Sequence, residues 1–125
     1  MKEFTILISD RNRHVREYLR REMAAEGYKV QLAKNTREVL KLVYHDENID
    51  LIILDPELPY GDDKSLLEKI RDRIPNLPVV IHSFFPDDNN RSDIWNSVHF
   101  VEKDGSSIEH LKKVVSKVLM GSNPR

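Results

Sequence analysis

The stretch from Asp50 to Pro59, which reads D-L-I-I-L-D-P-E-L-P, decides the fold of this chain. Four apolar residues, Leu51–Leu54, run without alternation into the carboxylate of Asp55, and Pro56 follows directly. An unbroken apolar run of this length is typical of a strand that helices cover on both faces, as in a parallel sheet. A buried helix would also be apolar, but Pro56 and Pro59 would interrupt it too early. The stretch therefore predicts a central strand that ends at Asp55.

Strand and helix patterns alternate on both sides of that central strand. Apolar and β-branched runs predict the other strands, and apolar residues three or four positions apart predict the helices between them. Polar residues and glycine at the ends of these helices fit capping positions. The predicted strands are Phe4–Ser9, Tyr28–Ala33, Leu51–Leu54, Val79–Ile81 and Val98–Val101. In chain order, the apolar faces of the predicted helices are formed by Val15, Leu19 and Met23 in the first, by Val39, Leu40 and Val43 in the second, by Leu66, Leu67 and Ile70 in the third, and by Ile108, Leu111, Val114, Val115 and Val118 in the last.

The segment from Phe84 to Ser97 is the exception, because its one weak apolar pair is Ile94 and Trp95. A helix there, the fourth in order, is predicted to be short or irregular. Since right-handed crossovers join successive parallel strands, the whole pattern predicts an α/β protein with a doubly wound, five-stranded parallel sheet and helices on both faces. We expect a single domain over residues 1–125, with a core from about residue 4 to residue 119 and a tail over 120–125.

Composition and charge exclude several classes of function. Twenty basic and twenty-one acidic residues give a net charge of −1, which offers no general attraction for nucleic acid. The absence of cysteine rules out disulfides, zinc–thiolate sites and thiol nucleophiles. The sequence contains neither a signal peptide nor an apolar stretch of membrane-spanning length. We therefore expect a soluble, cytoplasmic domain that has no direct contact with nucleic acid or a membrane.

Residues suited to phosphoryl transfer stand at the ends of the predicted strands. Asp10 follows the first strand and Asp55 the central one, while Ser83 and Lys103 follow the fourth and fifth. Parallel strands present their carboxyl ends at one edge of the sheet, where the ligands of open α/β folds bind. A carboxylate nucleophile, a cation and a hydroxyl form a coherent set for phosphoryl transfer. The sequence therefore predicts that these side chains converge.

At these positions the chain resembles the receiver domains of two-component response regulators. The resemblance covers about residues 4 to 119 and implies a flavodoxin-like (βα)5 fold. Because this one fold uses the whole sequence, we expect a stand-alone receiver domain. The motifs, in the order and spacing of the family, are I-L-I-S-D-R at 6–11, G-Y-K-V at 27–30, D-L-I-I-L-D-P-E-L-P at 50–59, P-V-V-I-H-S at 78–83 and F-V-E-K at 100–103.

The resemblance implies a phosphorelay function and a role for each residue of the site. The domain would accept a phosphoryl group from a histidine kinase or a phosphotransfer protein and signal to an unknown downstream protein. The family also allows a homodimer. The implied phosphoacceptor is Asp55, and Lys103 is the implied cation beside it. The implied switch residues are Ser83, whose hydroxyl moves towards the phosphoryl group, and Phe100. The implied ligands of Mg²⁺ are Asp10, Asp55 and the backbone carbonyl of Glu57.

Arg11 is the main departure from the family, because it replaces the second acid of the pair that follows the first strand. In the family that acid contacts Mg²⁺ directly. A guanidinium about 4 Å from the metal position would repel each unit of metal charge by about 4 kcal/mol at an effective dielectric near 20. Alternatively, Arg11 swings into water, or it pairs with Asp55 or Asp10 and stands in for the metal.

Two further residues and one segment also depart from the family. Phe84 stands where receivers usually have a small residue, so its ring is expected to hinder access to the pocket. Asp104 replaces the proline that usually follows the lysine, which leaves the position of Lys103 open. The segment 84–97 is shorter than in the family, and this region carries the partner-binding face of receivers. We therefore expect an altered partner or dimer mode.

These departures leave two functions open. The first is acceptance of a phosphoryl group on Asp55. The alternative is a pseudo-receiver, a protein–protein interaction module in which Arg11 neutralises the acidic pocket without metal or phosphorylation. Purely structural roles are also open for two of the site residues: Asp10 as the cap of the first helix, and Phe100 as a residue of the hydrophobic core. Catalytic turnover is not expected, because the sequence has no Walker loop, nucleophile elbow or dinucleotide fingerprint, and Glu57 stands where a haloacid-dehalogenase-type phosphatase has its second aspartate.

Overall fold

The structure is a computed structural model, and it describes residues 3–46, 48–58, 63–72, 77–84, 98–104 and 107–121. Within these ranges the chain forms five strands and four helices. None of the described helices has the length and apolar content needed to span a membrane. In chain order the elements are β1 (Thr5–Ser9), α1 (Arg13–Ala25), β2 (Lys29–Ala33), α2 (Thr36–His45), β3 (Ile49–Leu54), α3 (Asp63–Arg71), β4 (Val79–Ser83), β5 (Val98–Glu102) and α4 (Ser107–Gly121).

All five strands belong to one parallel sheet, in the order β2-β1-β3-β4-β5. β3 lies at its centre, as the unbroken apolar run predicted. The predicted class, an α/β protein with a flavodoxin-like, doubly wound five-stranded sheet, is confirmed. The short or irregular helix predicted within 84–97 falls on residues 85–97, which lie outside the described part of the chain. Helix α4 continues to Gly121, two residues beyond the predicted end of the core.

Local signals at the helix ends explain where the elements begin and stop. The side chain of Asn12 caps α1 by accepting hydrogen bonds from the backbone of the first turn, and Asn35 caps α2 by accepting one from Glu38 N at 2.8 Å. Gly27, just after α1, has a φ of 97°, a left-handed conformation that side chains with a Cβ adopt at a cost. The chain can therefore reverse there and enter β2 beside β1.

The sheet carries a hydrophobic core on each face, and β3 contributes to both. Leu51 and Ile53 pack with α1 and α4, whereas Ile52 and Leu54 pack with α2 and α3. All four side chains are fully buried, which explains why the strand does not alternate between apolar and polar residues. The helices complete the cores with Leu19, Met23, Leu111, Val115 and Leu119 on the first face, and with Val39, Val43, Leu66, Leu67 and Ile70 on the second.

Candidate functional site

The carboxyl edge of the sheet gathers three charged side chains from three strand ends. Asp10 follows β1, Asp55 follows β3 and Lys103 follows β5. Lys103 Nζ lies 2.8 Å from Asp10 Oδ2 and 3.8 Å from Asp55 Oδ2. Asp10 and Asp55 are 1% and 2% exposed, and the Lys103 side chain is 8% exposed. The structure thus brings these three predicted residues into one buried cluster, although Asp104 rather than proline follows the lysine.

Backbone groups orient the carboxylate of Asp55 from two loops. Its Oδ1 accepts a hydrogen bond from Glu57 N at 2.9 Å, and its Oδ2 accepts one from Arg11 N at 3.1 Å. The end of β3 is itself tied to β1, because Asp55 N donates to the carbonyl of Ser9 at 3.2 Å. The carboxylate therefore has a fixed position between the loop that follows β1 and the loop that follows β3.

Asp10 is fixed in a similar way. Its Oδ1 accepts a hydrogen bond from Asn12 N at 2.9 Å, and its backbone carbonyl accepts one from Arg16 Nη1 at 2.7 Å. Burial raises the pKa of the Asp10 carboxyl above its usual value, although hydrogen bonds from Lys103 and Asn12 act in the opposite direction. The helix-cap interpretation of Asp10 is wrong, since Asn12 occupies the cap of α1.

Arg11 lies at the mouth of this cluster and joins its two loops. Its Nη1 is 2.6 Å from Glu57 Oε1, and its Nε is 3.9 Å from Asp55 Oδ2. The side chains of Arg11 and Glu57 are 46% and 43% exposed, so this pair faces solvent while Asp55 lies beneath it. Of the alternatives that the sequence left open, the structure shows pairing with Asp55, together with a shorter ion pair to Glu57.

The hydroxyl and aromatic residues predicted for the site lie on β4 and β5. Ser83 is buried at the end of β4, and its carbonyl accepts a hydrogen bond from Lys103 N at 2.8 Å. Phe100 is half-buried, pairs in register with Ile81 of β4 and packs on the core beside α2 and α3. Phe84, which directly follows Ser83, is 56% exposed, and its ring centroid lies 5.3 Å from Lys103 Nζ.

His82 occupies the other face of β4 and is buried at the edge of the cluster. Its Nε2 lies 3.5 Å from Ser107 Oγ at the start of α4, and its Nδ1 has no hydrogen-bond partner among the described residues. Burial, helped by the nearby charge of Lys103, lowers the pKa of His82 to about 4. The ring is therefore neutral at pH 7.

Sequence reasoning missed three contributors to the site. Asn12 and Arg16 bind Asp10, and the side chain of Glu57, considered only for its backbone carbonyl, pairs with Arg11. The pairing of Glu57 with Arg11 had a signal in the sequence. β1 and β3 are neighbours in a doubly wound sheet, so oppositely charged residues in the loops that follow them lie close together.

The carboxylate oxygens of the site are already engaged by groups of the protein, which bears on Mg²⁺ binding. Three of the four carboxylate oxygens of Asp10 and Asp55 accept a hydrogen bond from a backbone N–H, of Asn12, Glu57 or Arg11, and the fourth, the buried Asp10 Oδ2, forms an ion pair with Lys103 Nζ at 2.8 Å. Lys103 and Arg11 also place two cations beside the carboxylates of Asp10, Asp55 and Glu57, and a divalent ion would have to compete with both of them. In the part of the chain that the structure describes, no group of three or more His, Asp or Glu side chains is suited to hold a metal ion. This arrangement therefore does not fit a divalent cation.

Comparisons with known proteins identify the family. The family model for the response regulator receiver domain matches residues 6–115. The response regulator MprA of Mycolicibacterium vanbaalenii is 37% identical over 76 residues, which cover 61% of this chain and 32% of MprA. The chain thus spans about a third of the length of this curated relative. A two-component response regulator from Clostridium difficile has a solved structure with 26% identity and a TM-score of 0.85, and the match covers 98% of this chain and 100% of that one.

The response regulator TrrA of Thermotoga maritima provides two further comparisons. Its structure in complex with Mg²⁺-BeF is 30% identical with a TM-score of 0.79, over 93% of this chain and 99% of TrrA. Its structure in complex with the histidine kinase ThkA is 29% identical with a TM-score of 0.78, over 93% and 98%. The resemblance noted in the sequence is confirmed, and the chain belongs to the response regulator receiver domains of two-component signalling systems.

Proposed function

We propose that this receiver accepts a phosphoryl group on Asp55 and, as a signalling domain rather than an enzyme, relays it as a change of protein-binding surface. The donor is a phosphohistidine on a histidine kinase or a phosphotransfer protein. Support for a kinase partner comes from the relative TrrA, which forms a complex with the histidine kinase ThkA. Support for the acceptor comes from the geometry of Asp55.

The observation that carries this proposal is a buried carboxylate with both oxygens oriented and an ammonium 3.8 Å away. In the transfer step one Asp55 oxygen attacks phosphorus, a P–O bond forms and the P–N bond to the donor imidazole breaks. The imidazole nitrogen keeps the electron pair and takes up a proton from water. The product carries roughly 1.5 to 2 negative charges on phosphorus oxygens, which Lys103 partly neutralises.

The signal would leave the site through β4 and β5. Lys103 N donates to the carbonyl of Ser83, so a shift of Lys103 towards a phosphoryl group pulls on the end of β4. Ile81 of the same strand lies in register with Phe100, whose half-buried ring packs against the core. We assign the switch to Ser83 and Phe100 on this basis. The downstream protein would recognise the surface around β4, β5 and α4.

Intact-mass spectrometry tests the acceptor directly. The wild-type protein, incubated with a small acyl phosphate or a phosphorylated kinase, is expected to gain the mass of one phosphoryl group, and Asp55→Asn is expected to gain none. Asp72→Asn, which changes an exposed aspartate just after α3, serves as the matched control and should behave as wild type. The proposal would be contradicted if the wild-type protein formed no adduct with any donor, either with or without Mg²⁺.

A pseudo-receiver remains the second candidate, and one observation favours it. Arg11 pairs with Glu57 at 2.6 Å and Lys103 with Asp10 at 2.8 Å, and both cations also face Asp55, at 3.9 and 3.8 Å. Each acid of the pocket therefore has a cation beside it before any phosphoryl group arrives. This function predicts no adduct under any condition. It also predicts that Asp55→Asn leaves the binding of partner proteins unchanged.

A further inference from the structure

We infer that the Arg11 guanidinium takes the place of the divalent cation in this receiver, so that the site excludes Mg²⁺ and holds a phosphoryl group without it. The exclusion of metal stands on the charges and contacts of the site alone. The second half, the metal-free phosphoryl site, rests on the proposed function of Asp55.

Arg11 is held in place by contacts on both its backbone and its side chain. Its backbone N–H donates to the buried Oδ2 of Asp55 at 3.1 Å, which fixes the start of the side chain beside the carboxylate. Its guanidinium then lies between two acids, with Nε 3.9 Å from the same Asp55 oxygen and Nη1 2.6 Å from Glu57 Oε1. A planar guanidinium with several N–H donors suits such a position between two carboxylates.

Lys103 supplies the second cation from the opposite side. It is nearly buried and lies 2.8 Å from Asp10 and 3.8 Å from Asp55, so it cannot move into water without leaving the buried carboxylate of Asp10 uncompensated. A divalent ion could enter only by displacing Arg11, because like charges at these distances repel strongly. Mg²⁺ also requires near-octahedral oxygen ligands, and the carboxylate oxygens here already accept hydrogen bonds or ion pairs.

A phosphoryl group on Asp55 would meet these same two cations. It adds acceptor oxygens and negative charge next to Arg11 Nε, and a guanidinium binds phosphate oxygens with paired N–H donors. The guanidinium would therefore turn from Glu57 to the phosphoryl oxygens. Phosphorylation would break the Arg11–Glu57 ion pair and release the carboxylate of Glu57 at the mouth of the site.

The first arm of the test measures metal binding and needs no phosphoryl donor. Mg²⁺ and Mn²⁺ are titrated calorimetrically into wild type, Arg11→Asp and Arg13→Asp. Arg13→Asp makes the same charge change on an exposed residue of the first turn of α1. We expect no binding to wild type or Arg13→Asp in the millimolar range, and an affinity at least about a hundredfold higher for Arg11→Asp. Arg11→Gln, which removes the charge without adding an acid, should bind at an intermediate level and replaces Arg11→Asp if that variant does not fold.

Two results of the first arm would overturn the inference. One is a wild-type metal site that Asp55→Asn abolishes. The other is the failure of both Arg11 variants to gain metal affinity. Neither result depends on phosphorylation, so the failure of this inference is distinguishable from the failure of the proposed function.

The second arm measures the phosphoryl adduct with and without a chelator. Wild type should form the Asp55 adduct equally well in both conditions, and Arg11→Asp should form it only when Mg²⁺ is present. A wild-type adduct that disappears with the chelator would contradict the metal-free site. A wild type that is never phosphorylated would refute the proposed function and also this second half, while the metal titration would still decide the first half.

Discussion

Lys103 Nζ lies 2.8 Å from Asp10 Oδ2 in a position where both side chains are almost completely buried. Removing one partner of a buried ion pair leaves an uncompensated charge, which typically costs about 3–5 kcal/mol. Here Lys103 also faces Asp55 at 3.8 Å, so its loss would leave two carboxylates without their buried cation. The ion pair between Lys103 and Asp10 is therefore expected to stabilise the fold.

Lys103→Met is predicted to lower the free energy of unfolding by about 3 kcal/mol at pH 7, measured by urea denaturation. Asp10→Asn alone should cost less, because burial already raises the pKa of this carboxyl and disfavours its charged form. The double variant should recover part of the loss, since each substitution removes the charge that the other leaves unpaired. Strict additivity of the two single effects would show that the ion pair contributes nothing to stability.

The buried ring of His82 predicts a pH dependence of stability. Its pKa is lowered from 6.5 to about 4 in the folded protein, so the unfolded chain binds a proton at higher pH than the folded one. The contribution of His82 to the free energy of unfolding is therefore fully present above pH 6.5. It is lost as the pH falls towards 4, which lowers the free energy of unfolding by up to roughly 3 kcal/mol. Urea unfolding at several pH values in this window measures the loss.

His82→Leu should flatten the pH dependence, because the buried group that resists protonation is gone. His14→Leu, at an exposed position on α1, serves as the control and should retain the wild-type slope. An unchanged slope in His82→Leu would assign the pH dependence to other groups.

Phe84 is predicted to control access to the cluster, because its ring lies 5.3 Å from Lys103 Nζ and is 56% exposed. Phe84→Ala should speed both the formation of the Asp55 adduct by a small acyl phosphate and its hydrolysis, by roughly several-fold, since water and donor reach the site more easily. Stability should fall by less than about 1 kcal/mol, the usual size of an exposed cation–π contact. Adduct formation and decay are followed by intact mass.

Met120→Ala provides the control for Phe84→Ala, since it removes a similarly exposed apolar side chain from α4. It should leave both rates unchanged. Equal rates in wild type and Phe84→Ala would show that the ring does not cover the site.

The fold could be predicted from the sequence because the central strand has an unbroken run of apolar residues. Leu51–Leu54 are buried on both faces of the sheet, as an unbroken apolar run predicts for a covered parallel strand, and Pro56 and Pro59 excluded a buried helix. The placement of Asp10, Asp55 and Lys103 followed in turn, since the carboxyl ends of all strands of a parallel sheet lie at the same edge.

The partner of Arg11 could not be predicted with the same certainty. Backbone topology brings Arg11 to the mouth of the site, but the rotamers of long side chains decide between Asp10, Asp55, Glu57 and water. The sequence pattern also did not predict that His82 is buried and neutral, because this state depends on how Ser107 and Lys103 pack around the ring. The helix predicted within 84–97 and the partner-binding consequence drawn from it remain predictions.

The most direct test of the central claim locates the phosphoryl group itself. The wild-type protein is phosphorylated, treated with borohydride to reduce the acyl phosphate to homoserine, digested and sequenced by mass spectrometry. The account predicts homoserine at position 55 and nowhere else. Homoserine at another aspartate, or none at any position despite tests with several donors, would contradict it.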